Sequence, residues 1–126
     1  MEKGTKVIDG VEIVNTTPHD IAFQNGAGEV VVIEKNLEFL VNAKPVETPA
    51  GSKGGAEFVK VLFVADAAGE AKVAELEALF PNATLVGSII AAQAFPGRVA
   101  AMTPAAGFER VAPAEKRMNP KKFTTF

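Results

Sequence analysis

One short segment of the chain carries the residue types that bind anions. Residues 82–98 run from an apolar stretch through Gly87 and Ser88 into a second apolar stretch that stops at Pro96 and Gly97. This order predicts a buried strand, a turn and a short helix. The first N–H groups of a helix lack intrahelical partners and lie at the positive end of its dipole. The segment therefore predicts an anion site at Gly87 and Ser88. Arg98 and a basic side chain from the C-terminal residues that follow it are expected to complete the site.

The side chains that usually perform catalysis are few. His19 is the only histidine and lies in a turn sequence, Thr-Pro-His-Asp, which favours a structural role over general acid–base work. Ser88 lacks the paired glycines of a nucleophile elbow, so we interpret it as a helix N-cap. Asp66 follows the apolar segment 58–64 and lies either at a ligand-binding sheet edge or at a helix cap. These patterns predict a protein that is not an enzyme.

No spacing in the chain indicates a metal or cofactor site. The sequence has no cysteine, and its carboxylates are scattered instead of grouped. The glycine-rich residues 51–55 lack the order of a phosphate-binding loop and predict a flexible loop instead. We therefore expect no metal and no cofactor.

The charge is distributed unevenly along the chain. Residues 1–97 carry seven basic and thirteen acidic side chains, whereas residues 98–126 carry six basic and two acidic ones. An acidic body argues against DNA binding, for which a basic face supplies most of the affinity. A small basic region suits a compact anion, or it solvates a surface extension.

All nine aromatic residues are phenylalanines. Five of them lie in apolar patterns that predict a core position: Phe23, Phe39, Phe58, Phe63 and Phe80. Phe95 and Phe108 lie close in sequence to Arg98 and Arg110, a combination that either stacks a nucleobase or simply packs.

The pattern of elements predicts an α+β fold. Strands are expected at 11–14, 21–23, 29–34 and 37–41, with a hairpin turn at Asn25-Gly26 and an exposed loop over 43–56. Residues 58–64 are expected to form the best buried strand. The order over 58–102 is β-α-β-α-β, which favours parallel pairing in a compact α/β-like core. We therefore predict a mixed β-sheet with an N-terminal hairpin and two short helices.

The length of 126 residues predicts one domain, 1–126. An extended C-terminal tail is expected at about 103–126. Its end, residues 122–126, is expected to form an edge strand or to dock on a neighbouring subunit. No apolar run is long enough to span a membrane and no signal-peptide core is seen, which predicts a cytoplasmic protein with no membrane contact. A hydrophobic content of 48% indicates a homo-oligomer that buries apolar surface.

Two segments carry a family resemblance. Residues 14–21, Val-Asn-Thr-Thr-Pro-His-Asp-Ile, resemble the Asn-Leu-Thr-Pro-His opening of a group of small phage and prophage proteins. Residues 86–94, Val-Gly-Ser-Ile-Ile-Ala-Ala-Gln-Ala, resemble a second element of that group, Val-Ser/Gly-Ser-x-x-Ala-x-Ala. The chain departs from the pattern at Thr16, where leucine is usual, and in its long segment 43–56. In size and outline it is similar to the Thoeris anti-defence sponges, which capture cyclic nucleotide or ADP-ribose signals at subunit junctions.

The resemblance implies a phage-encoded protein that sequesters such a signal, without degrading it, in the cytoplasm of an infected bacterial cell. The residue types that match these sponges are Phe95 with Arg98, Phe108 with Arg110, and Gln93 or Ser88. Together with Gly87 of the predicted anion site, they give the predicted ligand-binding set Gly87, Ser88, Gln93, Phe95, Arg98, Phe108 and Arg110. Two alternatives stay open. One is a structural or partner-binding phage protein with no small ligand; the other is a nucleotide-degrading enzyme that uses His19 or Asp66 as acid or base.

Overall fold

The computed structural model describes residues 3–126, which form nine β-strands and two α-helices. The strands are β1 (Thr5–Ile8), β2 (Val11–Asn15), β3 (Ile21–Gln24), β4 (Val30–Ile33), β5 (Lys44–Lys53), β6 (Ala56–Val64), β7 (Thr84–Gly87), β8 (Ala100–Pro104) and β9 (Met118–Thr124). The helices are α1 (Ala67–Leu79) and α2 (Ile89–Ala94). Seven strands form a mixed sheet in the order β1-β2-β7-β8-β9-β3-β4, and β5 pairs with β6 alone. The predicted α+β class is confirmed.

The centre of the large sheet is parallel. Strand β7 pairs in parallel with β2 on one side and with β8 on the other, and α2 makes the crossover from β7 to β8. The pairs β1–β2, β8–β9 and β3–β4 are antiparallel. The carboxyl ends of β2, β7 and β8 therefore lie at the same end of the sheet, where loops from several elements meet.

Both faces of this sheet are apolar. Along β2 and β7, Val14 and Leu85 pack beneath α1 and α2, whereas Ile13 and Val86 join a second cluster on the opposite face. This division follows from the two-residue period of a strand. The sheet curls around the second cluster, so that Lys6 Nζ on β1 donates to the carbonyl of Val32 on β4 at 2.5 Å. No helix in residues 3–126 has the length and apolar character needed to cross a membrane.

The predicted hairpin at Asn25-Gly26 is confirmed by the antiparallel pairing of β3 with β4. Asn25 Oδ1 accepts hydrogen bonds from the backbone N–H groups of Ala27 and Glu29, which fixes the turn. A second hairpin, β1–β2, was not predicted. Its turn residues Asp9 and Gly10 both have positive φ, the conformation that two-residue hairpins require.

The expectations for residues 43–64 were wrong in two respects. The predicted loop at 43–56 is largely strand β5, and the predicted buried strand at 58–64 is the exposed strand β6. Phe58, expected in the core, is 49% exposed. The order β-α-β-α-β over 58–102 is confirmed, but β6 does not enter the large sheet. We call residues 44–64 the arm.

Two smaller expectations also differ from the structure. The strand expected at 37–41 is a 3₁₀ turn, Leu37–Phe39, whose first N–H groups are capped by Asn36. The edge strand expected at 122–126 is β9, which lies inside the sheet between β8 and β3. Pro120 is tolerated within β9 because the β8–β9 register shifts there, and a proline fits such an irregularity.

Candidate functional site

A cavity of about 590 Å³ opens at the carboxyl ends of β2 and β7. Its walls come from the β2–β3 loop, the start of α2, the base of the arm and the segment that leads into β9. Ligands of α/β sheets bind outside the carboxyl ends of parallel strands, so the fold places this cavity where a ligand is expected. A second cavity, of about 520 Å³, has walls of small and polar residues around Asp9 and Lys121 and lacks an apolar floor.

The β2–β3 loop is held by one buried side chain, Asn15. Its Nδ2 donates to the carbonyls of His19 (2.7 Å) and Ile33 (3.1 Å), and its Oδ1 accepts from the backbone N–H (2.9 Å) and hydroxyl (2.7 Å) of Thr17. The amide thus uses its full capacity of two donated and two accepted hydrogen bonds. Because Asn15 ends β2 and Ile33 ends β4, the network ties the loop across the end of the curled sheet. This places His19 at the cavity.

The neighbouring residues bring the loop close to β7. Thr16 donates two hydrogen bonds to the carbonyl of Val86, from its backbone N–H at 2.9 Å and from Oγ1 at 2.8 Å. Gly87 follows in β7, where an added Cβ would lie 2.8 Å from Val99 Cγ1 and 3.0 Å from Thr16 Oγ1. The glycine is therefore required by this close approach, because any side chain would push the loop or the Val99 segment away.

Three titratable side chains line the cavity: His19, Asp20 and Lys116. His19 and Asp20 are exposed, and Lys116 is half-buried. One Asp20 oxygen, Oδ1, accepts from the backbone N–H of Lys35 at 2.9 Å, so this carboxylate is already partly engaged. Lys116 is the basic residue among the three.

The cavity also has an apolar part. Phe63 comes from β6, Ile90 from α2, Met102 from β8 and Met118 from β9. Thioether side chains adapt to ligands of irregular shape, and an aromatic ring offers a flat contact surface. A ligand with a flat apolar portion and a negatively charged portion matches these walls.

Ser88 is the predicted ligand residue that lines this cavity. Its Oγ accepts from Ala91 N at 3.1 Å, which confirms its role as the N-cap of α2. The helix has six residues, so its dipole is small and the anion-binding argument from the helix start loses most of its force. Gly87 lies directly before it and is buried, and Gln93 is exposed further along α2.

The other predicted ligand residues lie elsewhere. Phe95 is 2% exposed and packs in the core between the sheet and the helices, so one chain does not present its ring to a ligand. Arg98 is engaged by two carboxylates of α1, at 2.6 Å from Glu70 and 2.7 Å from Glu77. The hydrogen bonds to Glu77 and then Glu70 raise the pKa of Arg98 above its ordinary value.

Phe108 contacts an arginine other than the one expected. The guanidinium of Arg117 lies 4.8 Å from the ring centroid, and its Nη1 donates to Gln24 Oε1 at 2.9 Å, whereas Arg110 is exposed. Phe108 and Arg117 line a separate cavity of about 380 Å³, which shares Lys116 with the first. Within one chain the seven predicted residues do not surround a common cavity, and their meeting at a junction between copies stays a prediction.

Sequence reasoning did not single out Lys116 or the apolar walls. Lys116 belongs to the basic tail, but nothing in its local sequence indicates that it reaches a loop some hundred residues earlier. For Asp66 the sequence allowed two roles, and the structure supports the cap: its Oδ1 accepts from Gly69 N at 2.7 Å. Among residues 3–126 there is no group of three or more histidine or carboxylate side chains that could hold a metal ion.

Comparison of the chain with protein-family models, with curated proteins and with solved structures finds no match. The resemblance to small phage proteins therefore stays a prediction from residues 14–21 and 86–94.

Proposed function

We propose that this chain is a non-catalytic binding protein that holds a phosphorylated nucleotide-like molecule in the 590 Å³ cavity. In its specific form, it is a phage-encoded sponge that sequesters a cyclic nucleotide or an ADP-ribose-derived signal. The observation that carries the proposal is the composition of the cavity. Its lining combines apolar side chains with the polar residues Lys116, His19, Asp20 and Ser88. Its volume lies in the range of about 300–1,000 Å³ that is usual for small-molecule sites.

The cavity walls match the two parts of a nucleotide. The ring of Phe63 and the side chains of Ile90 and Met102 suit a nucleobase, because burial of its faces removes apolar surface from water. Lys116 suits a phosphate, since a charge-assisted hydrogen bond is about twice as strong as a neutral one. The acidic body repels anions in general, which favours a ligand that also gains the apolar contacts.

The arrangement of His19 supports binding without turnover. In the described part of the chain its hydrogen bonds involve only its backbone N and O. A general base needs its imidazole oriented by a second group, as in a catalytic dyad. The alternative is a nucleotide-degrading activity that depends on His19. It is tested by whether the bound ligand is recovered intact.

The test is a thermal-shift screen against cyclic ADP-ribose isomers and cyclic di- and trinucleotides. A ligand at about 100 times its Kd stabilises the folded state by about 2.7 kcal/mol, which raises Tm by several degrees. Chromatography of the ligand released on denaturation then shows whether it is intact. Cleaved ligand would contradict the sponge, and loss of cleavage in His19→Ala would establish the enzyme.

Lys116→Ala is the variant that tests the site. We expect it to weaken binding by about tenfold or more, because one charge-assisted bond to phosphate contributes about 1.5–3 kcal/mol. Lys122→Ala is the matched control: it removes the same charge from an exposed position on β9 that does not line the cavity. Equal affinity of the two variants would contradict the site.

The arm favours a second candidate, a partner-binding protein with no small ligand. Its apolar side chains are exposed on both strands, which is typical of an interaction surface. This candidate predicts that no nucleotide in the screen changes Tm.

A further inference from the structure

The arm is a long β-hairpin without support from the large sheet. Every residue of β5 and all but one of β6 are exposed. A two-stranded sheet is at best marginally stable in water by itself. Six large apolar side chains of the arm are 36–61% exposed: Val46, Phe58, Val59, Val61, Leu62 and Val64. Further contacts beyond those of one chain would stabilise it.

The two edges of the arm differ in what they can bind. Strand β5 contains Pro45 and Pro49, which have no N–H to donate, and its register shifts between Pro49 and Ser52. Such features prevent the addition of another strand. Strand β6 has nine residues and contains neither proline nor glycine. The edge of β5 is therefore blocked, whereas the sequence of β6 allows another strand to pair; within the chain β6 also lies against α2.

The large sheet offers no comparable edge in residues 3–126. Its outer strands, β1 and β4, have four residues each, and the hydrogen bond from Lys6 to Val32 draws them together. Short edges that approach each other leave little room for another strand.

We infer that β6 of one copy pairs antiparallel with β6 of a second copy, forming a four-stranded sheet in the order β5-β6-β6-β5. The occupant is a second copy because β6 complements itself. With a two-fold axis at Val61, Phe58 lies opposite Val64 of the partner subunit and Val59 lies opposite Phe63 of the partner subunit. Aromatic and β-branched residues are favourable cross-strand pairs.

The charges of the arm select this register and suit self-association. An axis at Lys60 would oppose two ammonium groups, whereas an axis at Val61 places Lys60 opposite a leucine. The arm carries three lysines and two glutamates, so two copies do not repel strongly.

The pairing also bears on the cavity, although it does not depend on the proposed ligand. Phe63 lines the cavity and lies on the same face of β6 as Val59 and Val61. The second copy would therefore fix the strand from which this wall residue projects.

Disulfide trapping tests the register, because the chain contains no cysteine. We expect Val61→Cys to form a covalent dimer rapidly under mild oxidation, since cross-strand neighbours lie within disulfide range. Val7→Cys is the matched control, a valine on strand β1 that is 64% exposed. Crosslinking of Val61→Cys no faster than Val7→Cys would overturn the inference.

Sedimentation of the wild-type chain and of lysine variants, none of which contains cysteine, is the second test. The wild type is expected to be a dimer, and Val61→Lys, which opposes two ammonium groups at the axis, is expected to weaken the dimer at least tenfold. Val7→Lys should leave it unchanged. A monomeric wild type across the micromolar range would overturn the inference. The thermal-shift screen of the wild-type chain against nucleotides reports separately on the proposed function.

Discussion

Replacement of Asn15 by aspartate tests the network that builds the cavity wall. The two side chains have nearly the same shape, so packing is preserved. The oxygen that replaces Nδ2 would face the carbonyls of His19 and Ile33, at 2.7 and 3.1 Å, and could donate to neither when ionised. The oxygen that accepts from Thr17 would be retained.

The expected cost follows from the hydrogen bonds that the substitution removes. The buried carbonyl of Ile33 loses the bond from Nδ2, whereas the half-buried carbonyl of His19 keeps the hydroxyl of Thr17 at 3.0 Å. A buried group left unsatisfied costs about 1–3 kcal/mol. Asn15 is fully buried, so an ionised carboxylate there also carries a desolvation penalty. We expect Asn15→Asp to lower the free energy of unfolding at neutral pH by at least about 3 kcal/mol, a large part of the roughly 5–15 kcal/mol typical of a domain.

This destabilisation should depend on pH with a definite sign. Burial and the two facing carbonyls raise the pKa of the introduced carboxyl in the folded state above its unfolded value of about 3.9. The folded state then binds the proton more tightly than the unfolded state. The loss in free energy of unfolding is therefore complete above the folded-state pKa of the carboxyl. It shrinks as the pH falls towards the pKa of the unfolded state. Only part is recovered, because a protonated carboxyl donates one hydrogen bond and not two.

Urea unfolding of wild type and variant, followed by circular dichroism across this pH range, measures both effects. Thr16→Val is the control: it removes a buried hydroxyl, but the carbonyl of Val86 keeps the bond from Thr16 N. We expect it to cost less than about 1.5 kcal/mol. An Asn15→Asp variant within about 1 kcal/mol of wild type at neutral pH, or one whose deficit grows on acidification, would refute the reasoning.

Two further substitutions test other contacts of the site. Gly87→Ala should lower the free energy of unfolding by about 1–3 kcal/mol, because its Cβ would overlap Val99 and Thr16; an unchanged Tm would contradict this close approach. Arg98→Ala should cost less than about 1 kcal/mol in urea unfolding, because the ion pairs with Glu70 and Glu77 are partly exposed, and the difference should narrow in high salt. The same variant should bind nucleotide as the wild type does in calorimetry, and a tenfold loss would show instead that Arg98 contacts the ligand.

Local signals in the sequence predicted the parts of the fold that local chemistry determines. Asp66 and Ser88 each precede a helical pattern and cap it, and Asn25-Gly26 closes a hairpin. The arm could not be predicted in the same way. Its first strand is rich in proline and glycine, which is typical of a loop. Its second strand is apolar on both faces, a pattern that indicates a buried strand. The pattern does not distinguish burial within the chain from burial against another chain.

The candidate site was predicted in part, for a related reason. The motif around Asn15 was recognised, but its hydrogen bonds to Ile33 and His19 depend on the curl of the sheet. Arg98 was grouped with Ser88 because they are near in sequence. The intervening helix directs Arg98 to the carboxylates of α1. Lys116 reaches the cavity because the segment that leads into β9 runs along it, far from the β2–β3 loop in sequence.

The most direct test of the ligand proposal uses the single histidine of the chain. His19 lines the cavity, and the imidazole of a single histidine is expected to give one pair of ring-proton signals in an NMR spectrum. Titration with a nucleotide that raises Tm is predicted to shift these signals in proportion to occupancy, and Lys116→Ala to move the midpoint to higher concentration. Saturable binding that leaves the His19 signals unmoved would contradict the account.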